Sequence, residues 1–176
     1  MTRIGLISDT HSYLDEKVFE HFKDCDEVWH GGDFGNADIA ESLSSCQTLH
    51  KRQTPIRGVY GNIDGYDIRS VYPEELIFMC EGVKVFIKHI GGYPGRYEPG
   101  VKNTILKEKP QLFISGHSHI LKIMYDDKLK CLHINPGAAG LQGWHKVKTL
   151  VRFAIDGDQI KNCEIIELGK RGALAG

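Results

Sequence analysis

The sequence predicts an α/β domain of roughly ten strands in two packed sheets. Three observations lead there. The first sixty residues alternate strand, helix, strand, helix, strand, the pattern of βαβ units and a parallel sheet. The last third reads as consecutive hairpins, which are antiparallel. The polar residues able to do chemistry fall just after apolar strands, at several separate places in the chain.

"RIGLIS" (Arg3–Ser8) is a short apolar run ending in polar residues, as a buried strand should. "SYLDEKVFEHFKD" follows with Leu14, Val18, Phe19 and Phe22 at helical spacing, and Ser12 with Asp15 resembles a capping box. "DEVWHGGD" is a second strand breaking into a Gly-Gly turn, "NADIAESLSSC" a weaker helix, and "PIRGVYGN" a third strand. "EELIFMCEGVKVFIKHIGG" holds two apolar segments that turn at Glu81-Gly82. A helix is expected from Pro99 to Lys107, with Pro at an early position. "QLFISGHSH" is another buried strand. Two hairpins follow, turning at Asp126-Asp127 and Asp156-Gly157. Residues 1–168 form one domain by length, and "GKRGALAG" (169–176), which has no periodicity, is expected to be a flexible tail.

The composition excludes several classes. With 22 basic and 23 acidic residues among 176, no strong field recruits nucleic acid or anionic lipid. No apolar run approaches a membrane span and no secretory leader is evident, so no membrane partner is expected. Cys25, Cys46, Cys80, Cys131 and Cys163 are odd in number and contain no CxxC pair. They read as reduced core thiols of a cytoplasmic protein.

Asp9 and His11 follow the first strand, Asp33 the second, and Asn62 and Asp64 the third. His89 ends the strand after the first hairpin, and His117 and His119 follow "LFIS". Ligands of open α/β sheets bind outside the carboxyl ends of strands, so five strand ends deliver polar side chains to one rim. Imidazoles suit first-row metals, and carboxylate and amide oxygens favour harder cations. Several His, two Asp and an Asn are too many for one closed tetrahedral ion. They fit two ions sharing a bridging carboxylate.

The ordered set "DTH", "GGD", "GNID", a strand-end His and "GHSH", extended by "HINPG" (His133–Gly137), resembles the calcineurin-like metallophosphoesterase family. It is most similar to the small, single-domain YfcE-like phosphodiesterases. The resemblance implies an α/β fold of two packed mixed β-sheets flanked by helices, the metallophosphoesterase sandwich. It implies that Asp9, His11, Asp33 and His119 hold one divalent ion, and that Asp33, Asn62, His89 and His117 hold a second, with Asp33 bridging. Mn²⁺ is the expected metal, with Fe, Zn, Ni or Co as alternatives. Asp33, Asn62, His89 and Asp64 are assigned to catalysis.

Many relatives carry a third motif of Gly-Asn-His-Asp/Glu, whose His is thought to protonate the leaving group or hold the phosphate. Ile63 stands there and can do neither. General-acid help is worth roughly 10²–10⁴-fold and matters most for poor leaving groups. The expectation is therefore a phosphodiesterase acting on a small-molecule diester with metal-activated hydroxide, and weak on monoesters. Asp64, having lost that partner, is expected to hold backbone or an arginine such as Arg57. "HIGGYPG" after His89 departs from the family pattern, and Tyr93, Arg96 and Tyr97 either reach substrate or are solvated loop residues. Ala138 replaces the usual serine of "NPGS". His30 and His133 either orient ligands or are satisfied boundary residues, and His21, His50 and His145 read as surface. The alternatives are a protein-interaction scaffold with a vestigial metal site, or a nuclease. The near-zero charge makes nucleic acid the less expected substrate. A homo-oligomer is left open.

Overall fold

The computed structural model describes residues 1–46 and 53–172, so the reading of His50 lies outside the described residues. Twelve strands and four helices are described. The first sheet has the order β12 (Gln159–Lys170), β11 (Val147–Asp156), β1 (Thr2–Ile7), β2 (Glu27–His30), β3 (Ile56–Gly58). The second has the order β4 (Glu75–Cys80), β5 (Val83–Lys88), β8 (Leu112–Ile114), β10 (Cys131–Pro136), β9 (Leu121–Asp126). Both are mixed: β1, β2 and β3 run parallel, as do β5, β8 and β10, while the outer pairs are antiparallel.

Strand alternation sorts the side chains into layers. Ile4 and Leu6 of β1 meet Val85 and Ile87 of β5 and Leu112 and Ile114 of β8 in the core between the sheets. Ile7 of β1 and Val28 of β2 face the other way, under α1 (Lys17–Phe22), α2 (Ala37–Ser44) and α3 (Tyr66–Arg69). Phe86 and Phe113, pointing outward from the second sheet, pack beneath α4 (Val101–Glu108). The result is two mixed sheets face to face with helices outside, the fold class expected. In register, Ile7 lies opposite His30 and His30 opposite Gly58, while Ile87 lies opposite Ile114 and Ile114 opposite Ile134. The parallel strands of each sheet therefore end level.

Several elements differ from the sequence reading. The first helix starts only at Lys17: Ser12 sits at φ 63° in a turn and caps nothing. Asp15 instead accepts from Lys17 N and pairs with Lys148 Nζ at 2.7 Å. The helix expected from Pro99 begins at Val101, because Gly100 adopts φ 86° just before it and holds Pro99 outside. A two-stranded hairpin, β6 (Gly92–Tyr93) and β7 (Arg96–Tyr97), forms where only loop was expected. Gly169 and Lys170, expected to belong to a tail, are part of β12, which pairs with β11 through Lys170, opposite Val147. Arg171 then donates to the carbonyls of Ala138, Gly140, Gln142, His145 and Val147. Residues 173–176 lie outside the described residues.

Gly5 shows how tightly α1 sits on the first sheet. A Cβ at Gly5 would lie 2.6 Å from the ring of Phe22, which is fully buried. Gly5→Ala should therefore cost about 1–3 kcal/mol by overpacking and lower the thermal midpoint by ~2–4 °C per kcal/mol. An unchanged calorimetric midpoint would show that α1 tolerates displacement.

Candidate metal centre

The level strand ends of both sheets meet along one rim. Loops after β1, β2 and β3 bring Asp9, His11, Asp33 and Asn62, and loops after β5 and β8 bring His89, His117 and His119. Asp9, His11, Asp33 and His119 place ligand atoms within 4.8 Å of one another. Beside them, His89 Nε2 lies 3.2 Å from both Asp33 Oδ2 and Asn62 Oδ1, and His117 Nδ1 lies 2.9 Å from Asn62 Oδ1. Asp33 belongs to both groups, with Oδ2 also 3.3 Å from His11 Nε2. All seven residues proposed as ligands from the sequence thus stand around one centre.

The donor set fits a metal on an observation independent of motif. Asp9 is fully buried; its Oδ2 accepts from Ser8 Oγ (2.6 Å) and His117 N (3.2 Å), but its Oδ1 accepts no hydrogen bond. His11 Nε2 is likewise buried without a hydrogen-bond partner. Native interiors rarely leave such atoms unmatched. His89 Nδ1 donates to Gly31 O at 2.8 Å, which fixes that tautomer and turns Nε2 toward Asp33 and Asn62.

The backbone is held in an uncommon state to achieve this. Asp9, His11, Asp33, His117 and His119 adopt φ of 53°, 46°, 57°, 67° and 61°. Left-handed backbone at a non-glycine residue costs on the order of 1–3 kcal/mol and persists only where surroundings over-determine it. Gly61 is one such surrounding: a Cβ there would collide with the Asp33 carboxylate and backbone nitrogen.

Asp64 does not point at the ligands. It accepts from Gly61 N (2.8 Å), Gly35 N (2.8 Å) and Phe34 N (3.2 Å), tying the Asn62 turn to the Asp33 turn. Of the two roles expected for it, holding backbone is the one seen, and the arginine is not Arg57. Arg57 pairs with Glu27 at 2.8 Å, and Arg69 donates to the Asp64 carbonyl at 2.6 Å. Arg69 also donates to the carbonyls of Gly61 and Asn62 and stacks over Tyr60, 4.3 Å from its ring centre. No sequence signal marks Arg69, because it lies in a four-residue helix without periodicity. Ile63 is 46% exposed and offers the site its backbone: its N–H donates to Asp33 Oδ1 at 3.0 Å.

His30 is buried and satisfied. Gly32 N donates to its Nδ1, its Nε2 meets Thr10 Oγ1 at 3.0 Å, and Thr10 donates to Phe34 O. It therefore joins the loops after β1 and β2 without touching a candidate ligand side chain. His133 is buried against Phe113, and His145 is exposed.

Electrostatics divides these groups into two classes. Burial alone would raise the Asp9 and Asp33 carboxyls, but the histidines around them outweigh it and hold both well below the usual range. Asp33 and Asp9 in turn push His11 up to about 9; His89 is also raised, its burial being outweighed by the same carboxylates. Burial pushes His30 down to about 3 and His133 down to about 4.

This two-sheet sandwich, with imidazoles and carboxylates gathered at the carboxyl ends of its parallel strands, has the architecture of a metallophosphoesterase. Residues 2–158 match the calcineurin-like phosphoesterase superfamily domain, and the chain belongs to that superfamily. A probable metallophosphoesterase of Methanothermobacter thermautotrophicus is 31% identical over 174 residues, covering 94% of this chain and 92% of its own. A solved archaeal phosphodiesterase shares the fold at TM-score 0.73 and 23% identity, over 94% of this chain and 99% of that one. Zinc-complexed Vps29 of Entamoeba histolytica shares it at TM-score 0.68 and 15% identity, over 95% and 99%.

Two predictions follow from this geometry. Asp64→Ala strands three N–H groups at the junction of two ligand loops, and metal affinity should fall about 10–100-fold, as for residues that orient ligands. Competition titration with a fluorescent chelator reads this, and unchanged affinity would deny Asp64 a positioning role. The second concerns chelator-treated protein. His30 and His133 have folded values below the unfolded value of about 6.5, so their contribution is complete above that pH and lost as pH falls toward 4. His11 has a folded value above it, so its contribution is complete below about 6.5 and lost as pH rises toward 9. Urea unfolding should show a stability maximum near neutrality, with each histidine adding on the order of 1 kcal/mol per pH unit on its own side. A profile flat from pH 5 to 9 would overturn it.

Proposed function

We propose that the protein is a phosphodiesterase that holds two divalent ions, Mn²⁺ foremost, and acts weakly on monoesters. The observation that carries the metal part is the buried Asp9 Oδ1, which accepts no well-aligned hydrogen bond while facing His119 Nε2 at 3.1 Å and His11 Nε2 at 3.8 Å. Asp33 supports a paired site, because its Oδ2 lies between His11 and His89 at nearly equal distances of 3.3 and 3.2 Å. Divalent ions bound there would supply Lewis-acid polarisation of a phosphoryl oxygen and a water-derived nucleophile at neutral pH.

The chain's own residues do the rest. Asp9 and Asp33 hold negative charge in a buried setting, and Asn62 adds an oxygen without adding charge. Before metal enters, His11 carries a proton that loading must displace, so affinity should rise with pH. The hydroxyls beside the centre are engaged, Ser8 with Asp9 Oδ2 and Thr10 with Phe34 O, which argues against a serine or threonine nucleophile. Burial raises the thiols of Cys25, Cys46 and Cys131 to about 11, 12 and 12, where they are poor nucleophiles. Cys25, Cys46, Cys80 and Cys131 are buried and Cys163 is exposed, consistent with the reduced, cytoplasmic setting we propose. Among the described residues no helix is long and apolar enough to cross a membrane.

The diester preference rests on Ile63. Its exposed side chain has no proton to give to an alkoxide, so activated leaving groups should be handled best. With Mn²⁺, bis-p-nitrophenyl phosphate should be hydrolysed faster than p-nitrophenyl phosphate, and a chelator should abolish both. Asp33→Asn should lower diester turnover by more than about 100-fold, beyond the effect of a merely orienting residue. Faster monoester turnover would overturn the preference. Full diester activity in Asp33→Asn would overturn the metal assignment, whereas no diester turnover by the Mn²⁺-loaded, unmodified chain would favour a scaffold whose metal site is vestigial.

A further inference from the structure

A cavity of about 280 Å³ adjoins the candidate metal centre on the outer face of the second sheet, beneath the β6–β7 hairpin. It is lined by His117, itself a candidate ligand, and by Ile90, Tyr93, Arg96, Lys122 and His133. The hairpin above it is fixed at both ends. Ser115 Oγ donates to Gly92 O at 3.1 Å, and Tyr97 Oη donates to Asp126 Oδ2 at 2.7 Å. Lys122 Nζ lies over the Tyr93 ring, 3.5 Å from its centre, which binds the hairpin to β9 across the cavity.

Two features of the lining point to a ligand. Arg96 and Lys122 form no ion pair among the described residues, and with Glu98, a carboxylate in the same lining, they leave it one net positive charge. His133 is 1% exposed, yet its Nδ1 has no hydrogen-bond partner. Cationic side chains free of ion pairs in the wall of a cavity suit an anionic guest. A separate recess of about 230 Å³ opens past Asn62 and His89, and Ile90 lines both. The centre therefore has room on each side, as a phosphorus bearing two organic arms requires.

Resting on the phosphodiesterase reading, we propose that the cavity beneath the β6–β7 hairpin receives one arm of the diester. That arm is a sugar-sized group carrying a second phosphate, held by Arg96 and Lys122. The site thus distinguishes substrates by a charge remote from the bond that breaks.

Binding and turnover test this separately. Calorimetric titration of the full, chelator-treated chain should show thymidine 3′,5′-bisphosphate binding about tenfold or more tighter than thymidine 5′-phosphate. Arg96→Gln or Lys122→Gln, at exposed and half-buried positions, should remove most of that advantage. Equal affinities in the unmodified protein, or an advantage that survives both substitutions, would overturn the proposal. In the Mn²⁺-loaded protein the same 3′-phosphate should raise kcat/KM for thymidine 5′-(4-nitrophenyl phosphate), and the ratio should fall in both variants. A ratio of one there would also overturn it. Loss of turnover on every diester, with the binding preference intact, would sink the phosphodiesterase reading and leave the anion subsite standing.

Discussion

The carboxylate of Asp33 is where the two sheets are joined at the rim. It reaches His11 on the loop after β1 and His89 on the loop after β5, strands of different sheets. Its other oxygen takes the Ile63 N–H, which adds the loop after β3. Charge explains why such an arrangement holds together in the absence of metal. Two buried carboxylates face two histidines biased toward their charged form, so each desolvated ion has an opposite neighbour. The candidate ligands are thus held together by their own charges, and a metal bound there would displace protons from an existing cage.

The loops around Asp33 are forced into shape by packing. Five of the seven candidate ligands have left-handed backbone, which a free loop would relax out of. What prevents relaxation lies one step back from the centre. Asp64 binds three N–H groups of two loops, and His30 with Thr10 bridges the loops after β1 and β2. Ala139 N and Gly140 N donate to the carbonyls of Ser8 and Asp9, and the segment carrying them is gripped by Arg171 from the end of β12. The end of the last described strand thus reaches the first ligand loop through the Arg171 guanidinium and two backbone hydrogen bonds.

How much of this was legible follows from what sequence encodes. Buried strands ending in Asp, His or Asn read directly, because apolar runs and polar stops are local signals, and those stops are the candidate ligands. Glu81-Gly82 and Asp156-Gly157 read as turns for the same reason, and strand pairing bears both out. Elements decided by distant partners did not read. Ser12 and Asp15 have the spacing of a cap, but Lys148, more than a hundred residues away, takes Asp15 and the helix starts later. "GKRG" has no periodicity, yet β12 extends through Lys170 because β11 is there to pair with it. Arg171 has no pattern at all; its five acceptors are carbonyls, which any sequence supplies. The β6–β7 hairpin, only two residues a side, is too short for alternation to register.

Ile63 shows how a site can change its chemistry without changing its frame. The residue is tied in by its backbone N–H, and that bond to Asp33 would be available whatever the side chain. Its neighbours Gly61 and Asp64 are fixed for other reasons, one by the Asp33 carboxylate packed on its Cα and one by three backbone donors. The side chain itself is about half exposed. Position 63 can therefore gain or lose a proton donor while every ligand keeps its geometry. In the phosphodiesterase we propose, leaving-group range is set at position 63 by the side chain, whereas the tie to Asp33 is made by the backbone.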